Sequence, residues 1–177
     1  MDRQDWLLIS LWVHVPFITA WIGLVMLDSV PMFAPGLEDQ QRARLLLWSR
    51  VFVIVAIPVS MVTGIWQTVE NPFFRVESYS GLSQLRDRTL YGDLLFWKHG
   101  FVLATFGLTI LTRFILAPRL MAGATGAEMS GGGVMSLFGV LDDGDRASRV
   151  AQLATLLNLL ACLAAVLLAT RMVAELH

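Results

Sequence analysis

The sequence predicts an all-α fold, an integral membrane four-helix bundle that makes one domain of residues 1–177. Two observations carry this expectation. Of the 177 residues, 56% are hydrophobic and only 15% are charged, against roughly 25% charged in soluble domains. Four stretches also reach the roughly 20 apolar residues that a helix needs to cross about 30 Å of hydrocarbon. They are expected as helices over about 6–28, 45–69, 93–116 and 149–174.

The first stretch begins at Trp6. Its apolar run exceeds the roughly 7–15 residues of a signal-peptide core and lacks a small-x-small cleavage site, so it reads as a retained helix. Pro31, Pro35, Gly36 and the polar EDQQRAR run predict a turn after it. The second stretch carries Arg50 near its start, which puts its apolar core from Val51 onward. The polar segment from Glu70 to Asp93, opening with Asn71-Pro72, is expected to cap one end of the bundle. After the third stretch, Pro118 to Ser148 is rich in glycine and small residues and reads as a loose connection. Asp145 or Ser148 is the expected N-cap of the last helix. Aromatic and charged residues near the ends of the stretches suit interfacial anchoring.

Composition narrows the function classes. Net charge is −1 with no basic block, which sets nucleic acid aside as a partner. Cys162 is the single cysteine, so an intramolecular disulfide, a CxxCH haem attachment and cysteine-rich metal sites are excluded. The partner this composition implies is the lipid bilayer, and the expected location is a plasma (bacterial inner) membrane crossed several times. Six Lys and Arg lie on the side of the two termini and seven on the other, so the positive-inside rule leans toward both termini outside.

Ionisable side chains inside a span are expensive and therefore informative. His14 follows Trp6 by eight residues and His99 follows Tyr91 by eight, which puts each about 12 Å from its helix start at about 1.5 Å per residue. The first and third helices start on the same side, so the two imidazoles share a depth. A shared ligand needs that geometry, whether a haem with two axial imidazoles or a metal ion. The alternative is a histidine bonded to a nearby carbonyl, and Pro16 leaves that of Trp12 without its usual donor. His177, at the end of the chain, reads as tail. Lys98 begins a partly polar stripe through Thr105, Thr109 and Thr112, which reads as helix packing or as a wet path. Lys98 itself could pair with Glu70 or with a ligand carboxylate. Asp28, Arg50 and Arg113, at the other end, are expected to meet headgroups and water, with a charge cluster as the alternative. Asn158 and Gln152 are expected to bond between helices. The methionines form no MxxM or MxM cluster and read as packing, and the LDDGD segment reads as a solvated loop rather than an EF-hand.

Three segments carry a resemblance. HVPFITAWIG, with His14, Trp21 and Gly23, resembles the His and WxG of the copper resistance D (CopD) family. SRVFVIVAIPVSMVTGIWQ is similar to that family's second helix, with Thr63-Gly64 near its far end. The third segment resembles a YGxxLxxK opening at Tyr91, Gly92, Leu95 and Lys98. The likeness spans roughly residues 10–120, while Gln152 stands where the family's fourth helix has a glutamate. It implies copper handling, as transport or delivery; His99 beside Lys98 departs from the family, and in that reading His14 and His99 are the ligand candidates with Lys98 tuning the site. A stand-alone four-helix unit with His14 and Lys98 also resembles the HemJ-type protoporphyrinogen oxidases, which implies haem b and a redox enzyme. Copper or haem b is thus the expected cofactor, with Tyr91, Trp21 and Glu70 supporting the site. A cuproprotein or membrane-complex partner, a homo-oligomer and an accessory subunit without cofactor are further expectations.

Overall fold

The computed structural model describes residues 3–70, 79–125 and 144–175. Every element within them is helical: α1 (Arg3–Phe33), α2 (Asp39–Trp48), α3 (Arg50–Val69), α4 (Tyr79–Arg88), α5 (Leu90–Ile110), a π-helical segment (Leu111–Leu116), α6 (Ala117–Thr125) and α7 (Gly144–Ala174). Four helical stretches, Asp5–Phe33, Arg50–Val69, Leu90–Ala122 and Arg146–Ala174, are long and apolar enough to cross a membrane. Asn71-Pro72, Arg75, most of the glycine-rich connection, the LDDG of the acidic loop and His177 lie wholly or in part outside the described residues.

Several boundaries differ from expectation for local reasons. α1 runs through Pro31 to Phe33, and the reversal falls at Pro35-Gly36, where Gly36 takes φ +83°. Glycine tolerates that left-handed value without cost. The EDQQRAR run, expected as a turn, opens a helix instead: the Gln41 side chain accepts the Glu38 N–H at 3.2 Å, half of a capping box. Arg42 then donates to the Pro31 and Ala34 carbonyls at the end of α1. The expected single helix over 45–69 is divided at Ser49, whose hydroxyl turns back to the Leu46 carbonyl at 3.1 Å. Ser148, expected as an N-cap, lies inside α7 and donates to Asp39 at 3.1 Å.

The polar segment before the third span contains α4, packed on α5. Thr89 caps α5 by accepting the Gly92 N–H at 3.0 Å. Gly92 is required by close approach, because a Cβ there would stand 2.2 Å from the Leu85 carbonyl oxygen. At the far end of α5 the helix loosens into the π segment, where the Ala117 N–H bonds to Thr112 O. The next residue, Pro118, has no N–H to offer the Arg113 carbonyl. Arg50 Nε supplies that donor at 2.8 Å.

Among the four spans, α1 packs on α3, α1 on α7, and α5 on α7. One apolar core between them gathers Trp21, Val25, Val53, Ala56, Phe106 and Cys162, with Trp21 set edge-on to Phe106 at 4.7 Å. Below it, Arg113 is fully buried, ion-paired with Asp28, and donates to Ser49 Oγ at 2.9 Å. Asp28 and Arg113 therefore do not meet headgroups and water as expected; they close the bundle from inside.

Candidate site: a cavity within the spans

Above the Trp21–Phe106 layer the four spans enclose a cavity of about 540 Å³. His14 reaches it from α1, Lys98 and His99 from α5, and Ser60, Gly64 and Thr68 from α3. Tyr91 and Trp21 also line it. Five of the six residues expected at the site are thus brought together. Glu70 is the exception: it forms the C-cap of α3, its N–H bonded to Trp66 O, and is not part of the cavity wall.

Hydrogen bonds fix how each imidazole presents itself. His14 Nδ1 lies 2.8 Å from Thr63 Oγ1, and the single Thr63 hydroxyl hydrogen goes to Val59 O at 2.6 Å. With that hydrogen on Val59 O the threonine oxygen accepts toward His14, and in this arrangement Nδ1 carries the proton and the neutral ring keeps its lone pair on Nε2. The carbonyl freed by Pro16 is not the partner of this ring. His99 Nδ1 donates to Leu95 O at 2.7 Å, since a carbonyl can only accept. Its Nε2 stands 3.1 Å from Thr68 Oγ1, which is also 2.9 Å from Gly64 O. One hydroxyl hydrogen serves one of these acceptors at a time, so turning Thr68 to Gly64 releases the lone pair of His99. The carbonyl makes His99 an Nδ1–H tautomer, and His14 matches it when Thr63 bonds Val59; in that state a second hydrogen bond orients a metal-binding imidazole.

Gly64 makes the arrangement possible. A Cβ there would stand 3.2 Å from His14 Cε1, so the imidazole lies in the space a side chain would take. Ser60, Thr63, Gly64, Gln67 and Thr68 repeat at helical spacing through an otherwise apolar span. That periodicity is the signal of a polar face toward the cavity; only Thr63 and Gly64 stood out in the sequence, and only as part of a resemblance. The stripe on α5 divides between two roles: Thr105 and Thr112 return their hydroxyls to their own helix, while Thr109 accepts from Asn158 of α7 at 3.0 Å. Gln152 likewise crosses to the Met32 carbonyl at 3.3 Å.

The donor set limits what the site can hold. No three of His, Cys, Asp and Glu gather to hold a metal ion among the described residues, so a bound ion would rely on two imidazoles. The volume lies within the about 300–1,000 Å³ typical of sites for organic ligands and far exceeds the needs of an ion. Two imidazoles, an ammonium group and an apolar body of Ile18, Trp21, Val102 and Phe106 are the groups an organic ligand there would meet.

Fold and site together define a protein with four helices able to span a membrane around a histidine-bearing cavity. No family model, curated protein or solved structure matches the chain.

Proposed function

We propose that the protein is a multi-pass plasma-membrane redox protein that holds haem b in this cavity, with His14 and His99 as its ligands. The observation that carries the reading is the pair of imidazoles, each held at Nδ1 by an oxygen, lining one largely apolar cavity of about 540 Å³. Bound haem would supply one-electron chemistry. Thr63 and the Leu95 carbonyl orient the two rings, Lys98 offers its ammonium to a propionate-like carboxylate, and Trp21 with Phe106 keeps water from the lower wall. The resemblance to HemJ-type oxidases extends the reading to oxidation of a porphyrinogen.

The test is an oxidised and dithionite-reduced absorption spectrum of detergent-purified protein, with iron and copper counted on the same sample. A b-type α-band with one iron per chain, lost in His14→Ala and His99→Ala, is the expected result. A colourless protein without iron after growth in haem-sufficient medium overturns it.

Copper handling, as transport or delivery, is the second reading. It is favoured by Met61, which puts a soft sulfur donor in the same wall as the imidazoles. Stoichiometric copper that is lost with either histidine would support it in place of haem. A protein that holds neither, and whose host is indifferent to both substitutions, would be an accessory subunit.

A further inference from the structure

We propose that the cavity is reached from the bilayer, through the gap between α3 and α5, and that its guest is a lipid-soluble molecule whose head bears a carbonyl or carboxylate acceptor. The helix order opens this route. α3 packs on α1, α1 on α7 and α7 on α5, so three sides of the bundle are closed by helix contact. α3 and α5 face each other without such packing, and side-chain bonds join the second and third spans at two levels: Thr68 to His99 above, and Arg50 to the carbonyl of Arg113 in the π segment below. Between those levels the cavity wall is made by Met61 and Ile65 of α3 and Leu103 of α5, which are 37%, 53% and 47% exposed. All three lie inside candidate spans, so their exposed surface meets acyl chains, and the mouth is apolar.

Besides the two imidazoles, the wall behind the mouth offers several donors. Lys98 and Gln67 line it, and no Asp or Glu among the described residues does. Trp21 and Ser60 line it as well, each at most 3% exposed, and the Trp21 indole N–H and the Ser60 hydroxyl have no hydrogen-bond partner among the described residues. An indole N–H can only donate, and an unpaired donor buried in apolar surroundings is costly. A guest acceptor would relieve it. An apolar mouth excludes a hydrated anion, which leaves an apolar body with an acceptor head. The inference rests on the cavity being a ligand site, and not on haem being the ligand.

The probe is a decyl-substituted 1,4-benzoquinone dissolved in the lipid of nanodiscs holding the full chain. Trp6, Trp12, Trp48, Trp66 and Trp97 are replaced by Phe, so that Trp21 alone reports by fluorescence quenching. Met61→Cys and Leu103→Cys, in a Cys162→Ala background, are left open or joined by a short bis-maleimide. Saturable quenching in the open protein, and at least ten-fold weaker quenching once the mouth is bridged, is the expected result. Lys98→Met should weaken it in the same direction. Quenching that never saturates in the open protein, or that bridging leaves unchanged, overturns the proposal. The same titration with all six tryptophans retained, reading the saturable component, guards against misfolding of the multiple variant. Because the probe is not haem, a failed haem spectrum with intact quenching would sink the haem reading alone.

Discussion

The two ends of the bundle hold their polar groups in opposite ways. At the lower end Arg113, which has no exposed surface, is bonded to Asp28 and Ser49, leaving Nη1 without a hydrogen-bond partner among the described residues, and the carbonyl released by Pro118 takes Arg50 Nε. At the upper end, His14, His99 and Lys98 surround an open volume, and each neutral imidazole keeps a lone pair that its own helix does not consume. In a hydrocarbon setting, buried polar groups persist where they are paired or where they serve a ligand. The lower cluster has the first character, and the proposed ligand site assigns the second to the cavity. Substitutions below should therefore cost stability, and substitutions above should cost ligand.

The largest effect is expected from breaking the lower ion pair on one side. Asp28→Ala leaves the buried Arg113 charge uncompensated, which costs about 3–5 kcal/mol in comparable sites. Thermal or denaturant unfolding in micelles should show that loss, and Asp28→Leu with Arg113→Leu should recover much of it. Equal stability for wild type and Asp28→Ala would erase the contrast between the two ends.

Next comes the approach of α4 to α5. Gly92→Ala sets a Cβ against the Leu85 backbone, so α4 must move away. A rise in protease cleavage or amide exchange across Tyr79–Arg88, with the spans still protected, is the expected signature.

At the upper end the expected currency is affinity. Thr63→Val removes the acceptor of His14 Nδ1–H, and loss of such an orienting partner typically costs about 10–100-fold in affinity. Thr63→Ser should retain most of it, and unfolding should barely change in either. A Thr63→Val protein that unfolds early and binds normally would place His14 with the structural residues. Gly64→Ala, which crowds His14 Cε1 at 3.2 Å, should shift the ligand spectrum in the same direction by a smaller amount.

The smallest effect is expected at the π segment. Pro118→Ala gives the chain an N–H that competes with Arg50 for the Arg113 carbonyl. One such exchange is worth about 0.5–1.5 kcal/mol at most, and a larger change would mean that the π segment positions Arg113 as well as tolerating Pro118.

Much of this was legible beforehand because it is local. His14 and His99 were readable as a pair from depth alone, since counting residues at a fixed rise needs no neighbour. Tyr91, Trp21 and Lys98 also reach the cavity, whereas Glu70 does not. The helical character of the EDQQRAR run was hidden because its reason, Arg42 reaching back to α1, is a contact across the turn.

By itself, the sequence determined the all-α class, the four apolar stretches and the few titratable side chains within them, because length, hydropathy and 3.6-residue periodicity are properties of each segment alone. Only the tertiary structure decided that Asp28 and Arg113 pair while His14 and His99 line a cavity, that α3 supplies the hydroxyls orienting the imidazoles, and that α3 and α5 stand apart. Those outcomes depend on which helix faces which, and partners 49 to 85 positions apart in the chain leave no trace in local periodicity.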